Sequence, residues 1–191
     1  MKRLILLAGA AALAGGCTTP MEEPLPPEPI DAAIPGMPAP AYIGSAASGD
    51  LFEIESSRLA LERSRNPEIL SFAQMLIGDH GRMSNELMMA ADRAGLNPPP
   101  PRMLPHHLDM LARLRSVGPG GFDRAYKTEQ IAAHQEALNL HRTYADNGDL
   151  PPLREVAARA VPIIEAHLAK AQRLPEWTPP TPVSRAGERG R

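Results

Sequence analysis

Three histidines stand at core-facing positions of three predicted helices. In each helix, apolar residues recur at alternating spacings of four and three residues, and the series passes through His80, His134 or His167. This spacing keeps side chains on one helix face, so the three imidazoles are expected to point at a common axis. Neutral imidazole is a preferred ligand of zinc, copper and other transition metals. The first candidate site is therefore a mononuclear metal centre.

A carboxylate of the preceding helix could complete this centre. Counted from the helix-connecting turns, the three histidines lie within roughly 4–5 Å of one level along the bundle axis. Ile54 is predicted to occupy the core position of the first helix near that level, and Glu53 and Glu55 flank it as candidate fourth ligands.

The same histidines could instead form a structural hydrogen-bond network, and this interpretation stays open beside the metal site. Its candidate partners are Tyr126, Tyr144, Gln130, Asp79 and Asp123. Asp79 is adjacent to His80 and so lies about 100° away from it around the same helix. We therefore expect Asp79 to pair with Arg58, Arg124 or another helix edge instead of an axial ion.

A second group of candidate ligands lies in residues 103–110, where Met103, His106, His107 and Met110 occur together. Thioethers and imidazoles suit Cu(I), so copper handling is a third hypothesis. The favoured interpretation is a short amphipathic helix whose two histidines are solvated. No nucleophile elbow and no glycine-rich phosphate loop occurs in the sequence, which predicts a protein that is not an enzyme.

The elements that must position these residues are helices. Proline and glycine divide the middle of the chain into predicted helices over residues 41–64, 67–94, 104–116, 122–145 and 151–174. Short connections between the first two and the last two predict antiparallel neighbours. The expected fold is all-α, an up-down-up-down four-helix bundle with a short extra helix, and Pro162 is expected to kink the last helix before His167.

The N-terminus has the pattern of an export signal. Residues 1–16 combine two basic residues with an apolar run too short to span a membrane, and small residues lead to Cys17, the single cysteine. The segment resembles a lipobox, which implies a lipid on Cys17 that holds the protein on a membrane. Thr18 favours the outer membrane, facing the periplasm, by analogy with lipoprotein sorting.

Composition separates a folded middle from extended ends. Residues 17–40 are rich in proline and predict an extended tether, and residues 175–191 predict a disordered tail. The 41–174 segment is the predicted bundle. A formal net charge of −2 argues against a nucleic-acid partner, and one cysteine excludes an internal disulfide.

An ordered set of motifs extends over about residues 41–174. It consists of Phe52-Glu-Ile-Glu-Ser-Ser-Arg-Leu-Ala60, Asn66-Pro-Glu, Phe72-Ala-Gln-Met, Asp79-His80, Phe122-Asp-Arg-Ala-Tyr126, Ala133-His-Gln-Glu-Ala-Leu138 and Val161-Pro-Ile-Ile-Glu-Ala-His-Leu168. Together these motifs resemble the bacterial ferritin-like family named domain of unknown function 4142, often labelled predicted outer membrane protein.

This resemblance implies a ferritin-like bundle, exported and often lipid-anchored, but no reaction. It places Glu53, Asp79, His80, Asp123, Tyr126, His134, Pro162 and His167 at the family's signature positions. Di-iron members of the ferritin-like class use Glu-x-x-His pairs, whereas isoleucine stands three residues before each of the three histidines here. The leading hypothesis is a lipid-anchored envelope protein that binds a partner or responds to envelope stress. The alternative is a mononuclear metal-binding protein.

Overall fold

The computed structural model describes residues 36–175, and this part of the chain is entirely helical. Its helices are α1 (Ala39–Arg63), α2 (Pro67–Arg93), α3 (Pro105–Ser116), α4 (Phe122–Asn147) and α5 (Pro151–Arg173), with a 3-10 turn at Pro119–Gly121 before α4. The prediction of an all-α protein is confirmed, and each helix begins and ends within about two residues of its expected bounds. None of these helices combines the length and the apolar character that crossing a bilayer requires.

Local sequence explains where the helices begin and end. Asn66 caps α2 by accepting a 2.9 Å hydrogen bond from the Glu68 backbone N–H, and Pro67 follows at the first helical position. After α2, Gly95 adopts a φ of 75°, a left-handed conformation that glycine reaches without strain. Helix α1 already begins at Ala39, so the last residues of the predicted 17–40 tether are helical.

The four long helices pack in a closed order. Helix α1 packs against α2 and α4, and α5 packs against the same two helices. The shorter α3 lies against α1 and α4. A site lined by α2, α4 and α5 is therefore surrounded by long helices on all sides.

A layer of buried polar side chains divides the core. One apolar cluster contains Phe52, Phe72 and Tyr126, and is called the Phe52 cluster. A second contains Tyr42, Tyr144 and many alanines, and is called the Tyr42 cluster. A third, smaller cluster consists of Met83, Ala160 and Ile164. Along α2 and α5, the histidine of the predicted stripe lies between residues of the Phe52 and Tyr42 clusters. The buried members of the polar layer are Asp50, Glu53, His80, His134, His141 and His167.

The predicted faces of α2 and α5 are buried, that of α4 is buried at His134 and His141 but not at its apolar members, and that of α1 was misassigned. In α1, Ile54 is only half-buried, whereas Asp50, Glu53 and Ser57 are buried. In α4, the expected stripe residues Ile131 and Leu138 are half-buried. Both helices carry apolar residues on their flanks, so the sequence pattern did not define their rotation.

Candidate metal centre

His80, His134 and His167 form a nearly equilateral triangle inside the protein. They come from α2, α4 and α5, and at most 2% of each residue is exposed. Their ring centroids are 5.6 Å apart for His80 and His134, 5.4 Å for His80 and His167, and 5.5 Å for His134 and His167. One nitrogen from each ring lies within 4.8 Å of the other two. The structure thus brings together the three histidines of the predicted site.

Each of these imidazoles has one nitrogen hydrogen-bonded outside the triangle. His80 Nδ1 lies 2.8 Å from Asp50 Oδ1, and His167 Nε2 lies 2.9 Å from Asp79 Oδ2. His134 Nδ1 donates to the backbone carbonyl of Gln130 at 2.8 Å. The Gln130 carbonyl can only accept, so His134 Nδ1 carries the hydrogen, and an ionised Asp50 or Asp79 likewise places the hydrogen of the neutral ring on the nitrogen that it contacts. The lone pair is consequently on the other nitrogen.

The nitrogens that carry these lone pairs are buried without a partner. They are His80 Nε2, His134 Nε2 and His167 Nδ1, and none has a hydrogen-bond partner within residues 36–175. Buried polar atoms are rarely left unpaired in folded proteins. Metal-binding histidines characteristically donate their second N–H to a carboxylate or a backbone carbonyl, as all three do here.

Burial keeps the three rings in the form that binds metal. It lowers the pKa of His80 to about 4, and it lowers that of His134 to about 3 with the help of the neighbouring His80. Burial also lowers the pKa of His167, against the opposing effect of its bond to Asp79. At neutral pH the three imidazoles are therefore uncharged, which is the protonation state that a metal ion requires.

The carboxylates of α1 are next to the triangle but do not complete it as expected. Glu53 is 3% exposed, and its Oε1 lies 3.4 Å from His134 Nδ1, the nitrogen that donates to Gln130 and not the one that carries the lone pair. Glu55 points elsewhere and bonds Arg58 at 2.5 Å. Glu55 as a fourth ligand was thus a wrong prediction, because the rotation of α1 turns its side chain outward.

Glu53 is better described as a neutral acid beside the centre. Both of its carboxyl oxygens are buried without a hydrogen-bond partner within residues 36–175. Burial raises the pKa of Glu53 well above its usual value, although the Gln130 amide opposes this shift. A protonated Glu53 can serve as a donor, which an ionised carboxylate cannot.

Asp79 and the other signature residues occupy distinct environments. Asp79 contacts His167 of α5 and accepts from Arg82, so the expected contact with another helix is present, whereas neither Arg58 nor Arg124 is its partner. Asp79 and His80 point in different directions around α2, as expected. Asp79 nevertheless orients one ring of the triangle, that of His167 on α5.

The remaining signature residues support the helices around the site. Tyr126 bonds Ser57 Oγ at 2.9 Å inside the Phe52 cluster. Asp123 is buried in the first turn of α4, where the helix dipole favours a negative charge. Helix α5 continues through Pro162, which is exposed.

The four candidate copper ligands of residues 103–110 do not come together in one site. Met110 packs in the Phe52 cluster and Met103 packs against it. His106 instead bonds the carboxylate of Glu136 at 2.9 Å, and His107 is 3% exposed. The expectation of two solvated histidines was therefore wrong for His107, which is buried between α3 and α1.

Two residues next to the centre were missed from the sequence. Asp50 orients His80, and Tyr42 bonds His141 Nδ1 through its hydroxyl at 3.1 Å. Burial raises the pKa of Asp50 to about 7, which the neighbouring His141 opposes. A usable signal was present, since Tyr42, Ala46, Asp50, Glu53 and Ser57 follow one another at the spacing of a helix face.

Comparison with known proteins identifies a family and a fold. The family described as "Domain of unknown function (DUF4142)" matches residues 27–174. No curated protein sequence matches the chain significantly.

The similar solved structures include copper-bound forms of CopM and a DUF305 fragment. The structure "CopM in the Cu(II)-bound form" aligns with a TM-score of 0.61 and 20% identity, over 72% of this chain and 95% of that one. "CopM in the Cu(I)-bound form" aligns with a TM-score of 0.60 and 18% identity, over 71% and 93%. A DUF305 fragment from Deinococcus radiodurans aligns with a TM-score of 0.61 and 18% identity, over 72% and 95%. At these identities the likeness shows a shared helical fold.

Proposed function

Because the chain belongs to the DUF4142 family, whose description assigns no activity, we propose its function from the three-histidine cluster. The protein binds one transition-metal ion through His80 Nε2, His134 Nε2 and His167 Nδ1. Three protein ligands leave one coordination position of a tetrahedral ion open for water or a ligand.

One observation carries this proposal: three buried imidazole nitrogens without a hydrogen-bond partner within residues 36–175 belong to three rings that lie against one another. A purely structural histidine network would be expected to use these nitrogens in hydrogen bonds, since an unsatisfied buried polar group costs roughly 1–3 kcal/mol. Here the bonds to Asp50, Gln130 and Asp79 all use the opposite nitrogen. The arrangement favours metal binding over the structural network.

The ligand chemistry favours copper or zinc over a di-iron centre. Imidazole suits both ions. The positions three residues before the histidines hold Ile77, Ile131 and Ile164, so the Glu-x-x-His pairs of di-iron bundles are missing. The copper-bound forms of CopM, which share the fold, support testing copper first.

The proposal includes an architecture and a cellular location. We take the closed packing order of α1, α2, α5 and α4 as that of a ferritin-like, up-down-up-down four-helix bundle. A lipid on Cys17 would hold this bundle at the outer membrane facing the periplasm, and the part of the 17–40 segment that precedes α1 would act as the tether. Residues 1–35 and 176–191 lie outside the described residues, so this location rests on the sequence pattern alone.

Metal content and thermal stability test the proposed centre. The full chain, without tag histidines, is measured with zinc, copper, iron or manganese added separately, and His134→Ala is measured beside it. An ion that binds only the folded state, at a free concentration of 100 times its Kd, should add about 2.7 kcal/mol to the free energy of unfolding. We expect one tightly bound ion and a rise in Tm in the wild-type chain, and neither in His134→Ala.

The matched control is Asp92→Ala, which removes an exposed carboxylate of the same helix as His80. This variant should behave as the wild type does. If no ion binds and no ion raises the Tm of the wild-type chain, the cluster is a structural network. Binding to a protein partner would then be the remaining hypothesis.

A further inference from the structure

A second group of metal-binding side chains lies where α3 meets α4. His106 and His107 occupy the first turn of α3, with ring centroids 4.0 Å apart. Glu136 of α4 places its Oε1 2.9 Å from His106 Nε2. One donor atom from each of the three residues lies within 4.8 Å of the other two. The side chains of His106 and Glu136 are about half exposed, at 46% and 50%, so this group is open to solvent.

His107 is held more rigidly than an ordinary surface histidine. Its Nδ1 lies 2.6 Å from Ser48 Oγ, which itself accepts a 2.7 Å hydrogen bond from the Leu104 backbone N–H. Its ring stacks on Phe52, with centroids 5.5 Å apart. His107 Nε2 makes no hydrogen bond within residues 36–175. Burial lowers the pKa of His107 to about 4, so the ring is neutral at pH 7 and can donate a lone pair.

A small cavity connects this group with the polar layer. His107 and Glu136 line one part of its wall, and Asp50, Glu53, His80 and His141 line another. Its volume is about 20 Å³, which is enough for one water molecule. His80 therefore lines the same cavity as His107 and Glu136, whereas His106, His134 and His167 do not line it.

From this continuity we propose that His106, His107 and Glu136 form a surface metal site that captures a divalent transition-metal ion and passes it through the cavity to His80 in the three-histidine centre. This inference rests on the proposed function of that centre. The ligand set of two imidazoles and one carboxylate suits Cu(II) and Zn(II).

The direction of transfer follows from the degree to which the ligands of each site are already oriented before the ion binds. Two of the three surface ligands are half exposed and must give up their mutual hydrogen bond to bind an ion. The three central imidazoles are already oriented by hydrogen bonds, so less order is lost when the ion arrives. Transfer is a ligand exchange in which bonds to His80, His134 and His167 form as bonds to the surface ligands break. The oxidation state of the metal does not change.

Copper titration and rapid-mixing kinetics on the full chain test this inference, with Cu(II) ion as the probe. The wild-type chain should bind two equivalents, one tight and one weak. The double variant His106→Gln/Glu136→Gln should lose the weak equivalent, keep the affinity of the tight one, and load it at least tenfold more slowly. Glu165→Gln, an exposed carboxylate of α5 paired with Arg142, is the matched control and should change none of these values.

The central variant His134→Gln separates the two proposals. It should lose the tight equivalent and keep the weak one, with circular dichroism checking that the helices are intact. If the double variant loads the tight site as fast as the wild type, the transfer route is overturned. If the wild-type chain binds only one equivalent, the surface site itself is overturned. A tight equivalent that survives in His134→Gln would instead contradict the three-histidine centre.

Discussion

At the scale of single residues, the centre is defined by which nitrogen of each ring donates. The Gln130 carbonyl fixes His134 with its hydrogen on Nδ1, and the carboxylates of Asp50 and Asp79 do the same for the other two rings at the nitrogens that they contact. Each hydrogen bond therefore places a lone pair at the triangle. These outer contacts are as much a part of the proposed site as the histidines themselves.

Asp50→Asn should weaken metal binding without unfolding the chain. The amide keeps the size of the side chain but cannot carry the negative charge of the ionised Asp50, which would make His80 a better electron donor to a bound ion. Loss of such an outer partner typically lowers metal affinity about 10–100-fold. Competition against a chromophoric chelator measures this change, and Asp92→Asn on the exposed face of α2 should leave the affinity as it is.

The metal-free protein should lose stability as the pH falls from about 7 to about 4. In the folded chain burial lowers the pKa of His80 and of His141 to about 4, and that of His134 to about 3. An unfolded histidine has a pKa of about 6.5, so the unfolded chain binds more protons across this range and acid favours it.

Two carboxyl groups oppose this trend without reversing it. Burial raises the pKa of Asp50 to about 7 and raises that of Glu53, so the folded state takes up protons there as the pH falls. Five histidines have lowered pKa values against these two carboxyls, and the net effect still favours unfolding in acid. Urea denaturation at several pH values between about 7 and 5 checks the sign. A constant free energy of unfolding would contradict it.

The sequence predicted the ligands better than it predicted their surroundings. His80 and His167 lie on helices with one clear apolar face, so their direction could be inferred. The rotation of α1 could not be inferred from its apolar residues alone. Leu51 and Ile54 are only half-buried, whereas the buried face consists largely of small and polar residues. Hydrogen-bond partners such as Asp50 depend on that rotation, and the periodic series from Tyr42 to Ser57 indicates it only when polar residues are counted as part of the buried face.

At the scale of elements, α1 orients the site although it provides no candidate ligand. It contributes Asp50 and Glu53 to the polar layer and Ser48 to the surface group. Its C-terminal end is fixed by Arg63, whose guanidinium donates to the carbonyl groups of Leu114 at 2.8 Å and of Val117. This residue thereby joins the end of α1 to the end of α3.

Arg63→Ala should destabilise the chain by about 2–3 kcal/mol. The change removes charge-assisted hydrogen bonds to the end of α3 and the stacking of the guanidinium over Phe122, 4.6 Å from the ring centroid. Chemical denaturation measures the loss. Arg58→Ala removes only an exposed pair with Glu55 on the same helix and should change stability by less than about 0.5 kcal/mol. Equal effects of the two variants would contradict this role of Arg63.

At the scale of the whole molecule, the polar layer lowers the stability of the fold and supplies the side chains of the proposed metal centre. It interrupts what could be one continuous apolar core between the Phe52 and Tyr42 clusters. Buried ionisable groups without partners destabilise a fold, and replacing them with apolar residues of similar size is often neutral or stabilising. The position of this layer midway along the helices is therefore better explained by binding than by folding.

Glu53→Met should make the metal-free protein more stable by about 1–2 kcal/mol, because it removes a buried carboxyl without a partner and keeps the volume. The same change should weaken metal binding, since a bound cation would favour the ionised form of Glu53 and methionine cannot supply that charge. Thermal unfolding and metal competition on the same samples measure both effects. If metal-free Glu53→Met is less stable than the metal-free wild type, the inference that the polar layer destabilises the fold is contradicted.

The distribution of the three histidines over α2, α4 and α5 also bears on how long the folded chain lasts. An ion held by all three would act as a cross-link between segments that are distant in sequence, and it could form only after those helices had docked. Contacts that form late in folding slow unfolding more than they speed folding. The metal-bound protein would then unfold slowly and also have a larger free energy of unfolding. Removal of the ion would shorten the lifetime of the folded chain in the presence of proteases.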